Sequence, residues 1–200
     1  MEDSLALQKC NNYIDQTMSF LRESPPGFLF LSMSDAMWRE SARKDFKIGP
    51  DKQTATNQKE IINKYLFEDL VSKIKTIKSS SHKIILVMPV PKFLDKNGDP
   101  IFDYTSCNII QIVLKKCINN IKTTLQFQNK TQKDVREMLL DIKRVTDISI
   151  LDLQSFFCDI NYCYNKKLGN FLYRDAGHIS VRASKKLSPL FEEKILNYPF

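Results

Sequence analysis

Apolar residues recur along the chain at two spacings, one typical of helices and one typical of buried strands. Apolar residues at every third or fourth position predict five helices, at residues 7–21, 61–77, 109–121, 135–142 and 183–195. Short continuous apolar runs, bounded by proline, serine or polar residues, predict three strands, at residues 28–31, 84–88 and 148–153. A predicted helix precedes each predicted strand, so the pattern indicates an α/β fold.

The alternation of helix and strand predicts a parallel sheet with helices on both faces. No internal repeat or linker interrupts the 200 residues, so we expect a single domain, residues 1–200. Ligands of such sheets bind beyond the carboxyl ends of the strands. The loops that follow Leu31, Met88 and Leu153 are therefore where we expect the chemistry.

Composition excludes several classes of protein. Only five glycines occur, and neither GxGxxG nor GxxxxGK[ST] is present, so the familiar nucleotide-binding loops are absent. The formal net charge of +7 comes from 23 lysines against 7 arginines, which favours a solvated basic surface. We therefore expect no nucleic-acid partner. A basic nucleic-acid-binding domain stays a rival hypothesis, although aromatic residues interleaved with arginine are not seen.

The sequence offers no segment suited to membrane insertion or export. Its longest apolar runs, 28–31 and 84–88, are much shorter than the ~18–20 residues that a membrane span requires. The first residues also lack the basic and apolar regions of a signal peptide. From these features alone, the chain as written is expected to be soluble and unexported.

Five cysteines are present, and their spacing does not fit a metal site. There is no CxxC and no second cysteine and histidine cluster, so no zinc site is expected. Cys158 and Cys163 are separated by four residues, which suits a small disulfide-closed loop. Two unrelated thiols in a reducing compartment would give the same spacing, and spacing alone does not decide between the two interpretations.

The two histidines lie in different sequence contexts. His82 falls between a predicted helix and a predicted strand, and we interpret it as a solvated loop residue. His178 follows Asp175 by three residues in a predicted loop. An aspartate at this distance can bond one imidazole nitrogen and fix the tautomer, so that the other nitrogen removes a proton. Asp175 and His178 are therefore candidate catalytic residues, the general-base half of a triad, although chance pairs of this spacing are common. Ser180 has its own structural explanation as the N-cap of the last helix.

The carboxyl-terminal part of the chain carries an ordered set of motifs that resembles a known family. The set is Cys158-x4-Cys163, Leu172-Tyr173-Arg174-Asp175, His178-Ile179-Ser180 and Ala183. It resembles the carboxyl-terminal block of SGNH hydrolase-like domains, especially those fused to membrane acyltransferases of the acyltransferase 3 family. Less specific similarities lie upstream, at residues 28–38, 87–91 and 148–158.

The resemblance implies a three-layer, flavodoxin-like fold of the SGNH type and acyl-transfer chemistry. In that family a serine attacks the acyl group, a histidine matched here by His178 takes the proton, and an aspartate matched by Asp175 orients the imidazole. The resemblance also implies a closed loop between Cys158 and Cys163, no metal and no bound cofactor. The implied partners are a membrane acyltransferase domain or protein that supplies the acyl group and a carbohydrate acceptor. The implied location is the periplasmic face of the membrane.

Two departures from the family pattern matter. Ile179 and Arg182 replace a leucine and a glycine, which the intact Asp-x-x-His pair tolerates. More important, the amino-terminal G-D-S-[HN] block, which follows the family's first strand and supplies the nucleophilic serine, is not found. Ser32 and Ser34 lie at the carboxyl end of a predicted strand and are weak substitutes, because the glycine that permits the sharp nucleophile turn is missing.

These departures predict a domain that lacks its first strand and its nucleophile. We therefore expect a fragment or degenerate copy of an SGNH-type acyltransferase or esterase domain, inactive as this isolated chain. Its expected role is in O-acetylation of cell-surface polysaccharide. The alternative is a non-catalytic glycan-binding or interaction module on the same scaffold.

Overall fold

The computed structural model describes residues 2–32, 55–79, 81–95, 99–101 and 120–198. The fold is mixed α/β with a parallel sheet and helices, which confirms the predicted fold class. The helices are α1 (Glu2–Glu23), α2 (Ala55–Ser79), α3 (Leu125–Thr131), α4 (Lys133–Thr146), α5 (Gln154–Phe157) and α6 (Val181–Leu196). The strands are β1 (Phe28–Ser32), β2 (Lys83–Val87), β3 (Lys122–Thr124), β4 (Ser149–Leu151), β5 (Tyr162–Tyr164), β6 (Lys166–Lys167) and β7 (Asn170–Phe171).

The chain divides into two compact units. The first unit contains α1, α2, the segment Met138–Ile150 and the greater part of β1 and β2. Its sheet has the strand order β1-β2-β4 among the described residues. β2 is the central strand of this order, and its consecutive residues Ile84, Ile85 and Leu86 are fully buried. Because consecutive side chains point to opposite faces, both faces of the sheet are covered here, which explains why this strand is continuously apolar in sequence.

His82 corrects one prediction from the sequence. We expected a solvated loop histidine, but the residue is buried, with only 7% of its surface exposed. Its Nε2 lies 2.6 Å from the carbonyl oxygen of Leu21, near the end of α1. A buried imidazole requires such a partner, because an unpaired polar group away from water is costly. The partner is 61 residues distant in sequence, and local pattern gives no sign of it.

The second unit contains the segment from Val87 to Glu137 and the segment from Leu151 onward, as far as the structure describes them. Two small antiparallel pairs, β3 with β5 and β6 with β7, lie in this unit. The β6 and β7 strands meet at Leu168 and Gly169, both with positive φ, as a two-residue hairpin turn with the strands' own twist requires. The core of the second unit includes the aromatic rings of Phe93, Phe157 and Tyr173. The Tyr173 ring is in edge-to-face contact with Phe93 and in tilted contact with Phe157.

The predicted strands at 28–31 and 84–88 correspond to β1 and β2, and the strand predicted at 148–153 is shorter, as β4. The helix predicted at 109–121 lies largely outside the described residues, and Asn120 and Ile121 are not helical. The short elements β3, β5, β6, β7, α3 and α5 were not predicted, because two to seven residues carry too little periodicity. Within the described part of the chain, no helix has the length and apolar content needed to cross a bilayer.

Candidate active site

The loop between β7 and α6 carries the predicted catalytic pair. Tyr173 and Ile179 face each other in an antiparallel bridge, and the Arg174 N–H donates to the His178 carbonyl at 2.8 Å. Ser180 ends the loop as the N-cap of α6, because its Oγ accepts from the Ala183 N–H at 3.1 Å. The segment is thus a closed turn with ordered ends rather than an open connection.

The carboxylate of Asp175 organises this turn. Its Oδ1 accepts hydrogen bonds from the backbone N–H groups of Gly177, at 2.9 Å, and His178, at 2.8 Å. The His178 ring nitrogen Nδ1 lies 2.8 Å from Oδ1 and 2.9 Å from Oδ2. An ionised carboxylate can only accept, so Nδ1 carries the proton and Nε2 is left as a basic nitrogen. The Asp-x-x-His spacing therefore produces the arrangement that a general base requires.

The electrostatics keep this carboxylate ionised. Partial burial favours the neutral acid, but hydrogen bonds from the Gly177 N–H, the His178 ring and the His178 N–H outweigh it, so the pKa of Asp175 is lowered from its usual value. The Arg174 guanidinium lies 3.4 Å from Oδ2. The Asp175 side chain is 20% exposed, whereas that of His178 is 73% exposed. The imidazole thus rests on a fixed anion and faces solvent.

The segment that follows β2 is hydrogen-bonded to the Asp175 turn. The Phe93 N–H donates to the Ala176 carbonyl at 2.8 Å, and the buried Tyr173 hydroxyl donates to the Pro91 carbonyl at 2.8 Å. Burial raises the pKa of Tyr173 well above its usual range, so the phenol stays a donor at ordinary pH. The loop after Met88 is one of the loops where we expected the chemistry. It is hydrogen-bonded directly to the segment that carries Asp175 and His178.

Two buried glutamine side chains, one in α3 and one directly after α3, are hydrogen-bonded to the segment that follows β2. Gln128 accepts from the Lys92 N–H at 3.0 Å through Oε1 and donates to the Lys92 carbonyl at 2.6 Å through Nε2. Gln132 donates to the Val90 carbonyl at 2.7 Å. Both glutamines are 1% exposed. A buried amide without a hydrogen-bond partner costs free energy of desolvation. These contacts therefore hold in place the backbone segment that is hydrogen-bonded to the Asp175 turn.

A second closed loop lies between α5 and β5. Cys158 and Cys163 are joined in a disulfide, with their sulfur atoms 2.03 Å apart. Between them, Asp159 accepts from the backbone N–H groups of Asn161 and Tyr162, each at 2.8 Å, and from the hydroxyl of Tyr164. These hydrogen bonds, with that of Tyr164 the largest contribution, lower the pKa of Asp159 to about 2. The loop is therefore closed both covalently and by a buttressing carboxylate.

Comparison with known proteins decides the family. The family model described as "SGNH domain (fused to AT3 domains)" matches residues 1–193. The chain belongs to this SGNH domain family. No curated protein sequence matches the chain significantly.

The chain is also similar to a solved structure described as "Structure of Salmonella ser. Paratyphi A lipopolysaccharide acetyltransferase periplasmic domain". The TM-score is 0.57, the sequence identity is 16%, and the match covers 92% of this chain. The match covers 62% of the Salmonella chain, so the present chain corresponds to less than two thirds of that protein's length. At this identity the likeness supports the shared SGNH fold alone.

The serine candidates have different standing in the structure of this SGNH domain. Ser32 is the exposed last residue of β1. Ser34 lies outside the described residues. Among the residues that the structure describes, no cluster of three or more histidine, cysteine, aspartate or glutamate side chains could hold a metal ion.

Sequence reasoning missed the residues that position the SGNH domain's Asp175 turn. Tyr173 belongs to a sequence motif that assigns it no role, and Gln128 and Gln132 belong to no motif. The sequence feature that could have identified Gln128 and Gln132 is their spacing. Two amides four positions apart lie on the same side of consecutive helical turns. Together with the apolar face of Val135 and Leu139, such a pair indicates amides directed inward rather than toward water.

Proposed function

We propose that this chain is an SGNH-type acyltransferase or esterase domain that acts in O-acetylation of cell-surface polysaccharide, with Asp175 and His178 as its catalytic pair. One observation carries the proposal: an exposed imidazole whose Nδ1 is 2.8 Å from a carboxylate already fixed by two backbone N–H groups. Membership of the SGNH family supports the chemistry. The similar Salmonella structure, described as a lipopolysaccharide acetyltransferase domain, supports the substrate class.

The proposed reaction is a two-step acyl transfer. His178 Nε2 removes the proton from a serine hydroxyl as the serine oxygen bonds to the acyl carbon, and the same proton is delivered to the donor's leaving group. In the second step, Nε2 removes the proton of an acceptor hydroxyl as that oxygen attacks the acyl-serine, and the proton returns to the serine. Asp175 stabilises the imidazolium in both steps and remains ionised, consistent with its lowered pKa.

The nucleophile is the component that the sequence does not identify. The G-D-S-[HN] block is absent from the 200 residues. We propose that these residues form one SGNH domain, a fragment or degenerate copy, that does not turn over substrate by itself. Ser32 and Ser34 remain weak candidates, and a fluorophosphonate probe that labels the wild-type chain but not its Ser32→Ala or Ser34→Ala variant would assign one of them.

The proposed partners follow from the family. Because SGNH domains of this family are fused to AT3 domains, a membrane acyltransferase domain or protein is proposed as the source of the acyl group. A polysaccharide is the proposed acceptor. The solved Salmonella neighbour is described as a periplasmic domain, and we propose the periplasmic side of the membrane as the location of this chain.

The alternative function is a non-catalytic glycan-binding module on the same scaffold. The missing G-D-S-[HN] block favours it, because a domain without a nucleophile would keep the fold and lose the reaction. The two functions differ in whether the imidazole of His178 is needed.

The test replaces the gene in its native host and measures the acetyl content of the surface polysaccharide by NMR. We expect His178→Ala to abolish the acetylation that depends on this gene, because it removes the proposed general base. We expect it to leave the fold intact, because the His178 side chain is 73% exposed. Arg182→Ala is the control, because Arg182 is an exposed residue of α6, four positions further along. The control is expected to keep wild-type acetylation.

Three outcomes separate the hypotheses. Loss in His178→Ala with retention in Arg182→Ala supports a catalytic domain. Loss only when the whole gene is deleted, with His178→Ala unaffected, supports the glycan-binding module. Unchanged acetylation after deletion contradicts any role in O-acetylation.

A further inference from the structure

An open hollow of about 730 Å³ lies in the second unit, remote in sequence from the Asp175 turn. One wall comes from the start of α3, and the other comes from the disulfide-closed loop. The residues that supply its chemistry are Gln126, Asn129, Ile160, Asn161 and Tyr162. Its volume falls within the ~300–1,000 Å³ that ligand sites of proteins occupy.

The lining residues of the hollow are uncharged, and one cation lies beside them, because the Lys122 Nζ is 4.0 Å from the centroid of the Tyr162 ring. Three of the lining side chains, Gln126, Asn129 and Asn161, are primary amides, and no aspartate, glutamate, lysine or arginine is among the lining residues. An amide offers a donor and an acceptor side by side, which matches a hydroxyl that both donates and accepts. Among the described residues, the side chains of Gln126 and Asn161 have no hydrogen-bond partner, so both are available to a ligand.

Apolar surface accompanies these amides. Ile160, in the disulfide loop, is 86% exposed. The half-buried Tyr162 contributes an aromatic ring, and the Lys122 ammonium lies over that ring. A sugar ring has the same two-sided character, because its edge carries hydroxyl groups and its faces expose C–H groups. Sites of this kind combine apolar walls with a few convergent polar groups that fix orientation.

The walls of the hollow are held in place before any ligand arrives. The Leu125 N–H donates to the Asn161 carbonyl at 2.8 Å, which ties α3 to the loop. Asp159 fixes the Asn161 and Tyr162 N–H groups within the disulfide-closed loop. Asn129 accepts from the Gln154 amide at 2.9 Å, which orients its own N–H₂ group. Preorganisation lowers the entropy cost of binding.

From these features we infer that the hollow binds sugar residues. This inference rests on the proposed function only because it takes the ligand to be the polysaccharide that accepts the acyl group. Binding itself requires neither the serine nor the acyl donor.

The test is an NMR titration of the ¹⁵N-labelled chain with three neutral oligosaccharides: maltohexaose, mannohexaose and chitohexaose. We expect at least one of them to shift the side-chain amide signals of Gln126, Asn129 and Asn161. Asn161→Ala is expected to weaken that binding roughly five- to ten-fold, the effect of one lost hydrogen bond. Gln126→Ala should weaken it similarly, whereas Gln16→Ala, the matched change at an exposed helical glutamine of α1, should leave it unchanged.

Two results would overturn the inference. These are no shift of the hollow's amides by any of the three hexamers, and an Asn161→Ala variant that binds like the wild type. His178→Ala is expected to bind the sugar normally, which separates the two proposals. Sugar binding without acetylation in the host assay would remove the acyl-transfer function and leave the hollow intact, and the reverse result would remove the hollow alone.

Discussion

Two loops of the second unit use the same local device for different ends. In the first loop Asp175 accepts from the backbone N–H groups two and three residues later, and in the second Asp159 does the same. Each carboxylate also has a close side-chain donor. For Asp175 this close donor is the His178 imidazole, with the Arg174 guanidinium farther away at 3.4 Å, and for Asp159 it is the Tyr164 hydroxyl.

The identity of that close side-chain donor decides what each loop can do. An imidazole that gives one N–H to a carboxylate keeps a second nitrogen free for proton transfer. A phenol has no second nitrogen, and its hydrogen bond to Asp159 raises the pKa of Tyr164, which makes it a poorer acid. The Asp159 loop is also closed by a disulfide, whereas the Asp175 loop depends on hydrogen bonds to Phe93 and Pro91. One loop is thus suited to chemistry and the other to rigidity.

The largest expected effect comes from exchanging each aspartate for asparagine. In the proposed acyl transfer, Asp175→Asn should lower the rate of acetyl incorporation into surface polysaccharide to below about 1% of wild type, since the same change in a Ser-His-Asp triad costs roughly 10⁴-fold. Asp159→Asn, the matched change, should keep at least about half of the rate, because Asp159 supports a loop and does not touch the imidazole. Host cells fed with labelled acetate supply the measurement.

The same two variants can be compared without an activity assay. In wild type the ¹⁵N signals of the His178 ring should show the proton on Nδ1, where the carboxylate accepts it. Asp175→Asn should give a mixture of tautomers, and Asp159→Asn should leave the wild-type signals. Equal loss of acetylation in both variants, with unchanged ring signals, would mean that the loops differ only in their contribution to folding.

The second effect is on stability and concerns the covalent link. Replacing Cys158 and Cys163 by serine should lower the free energy of unfolding by about 2 kcal/mol, the chain-entropy value for so short a loop. The separation in sequence is five residues. Urea denaturation of the double variant, beside Ser155→Ala on the exposed side of α5, would measure it.

The reduced wild-type chain should behave like the double cysteine variant. If reduction leaves the urea midpoint unchanged, the Asp159 hydrogen bonds alone close the loop, and the contrast between the two loops would be weaker than the structure indicates. The ring signals of His178 should stay the same in either case.

The sequence predicted best what is determined locally. The Asp175 and His178 contact could be anticipated because a turn of four residues brings both side chains together. The apolar run of β2 predicted a strand because a strand buried on both faces is apolar throughout. The same pattern located β1, although its residues are half-buried or exposed. The fold class and the SGNH family were predicted correctly, the fold class from the alternation of helix and strand and the family from the ordered motifs between Cys158 and Ala183.

Long-range contacts were beyond the same reasoning. The burial of His82 depends on a carbonyl group of Leu21, 61 residues earlier. The support of the Asp175 turn depends on Tyr173 reaching Pro91, 82 residues away, and on Gln128 reaching Lys92. A polar residue that is buried by a distant partner has the same local pattern as one that is solvated, so neither hydropathy nor spacing distinguishes the two.

The smallest expected effect is the response of the two loops to acid. The pKa of Asp159 is about 2 and that of Asp175 is also lowered, both from a usual value of 3.8. A carboxyl group with a lowered pKa in the folded state stabilises the fold above its unfolded pKa, and this contribution is lost as the pH falls toward the folded value. Stability should therefore decline between about pH 4 and about pH 2, and Asp159→Asn and Asp175→Asn should each remove part of that decline.

Urea midpoints at about pH 5 and about pH 2.5 give the measurement, with Asp15→Asn on the exposed side of α1 as the control. A decline that is equally steep in wild type and both loop variants would show that neither carboxylate's hydrogen bonds stabilise the folded chain, and the parallel between the loops would then be one of shape alone.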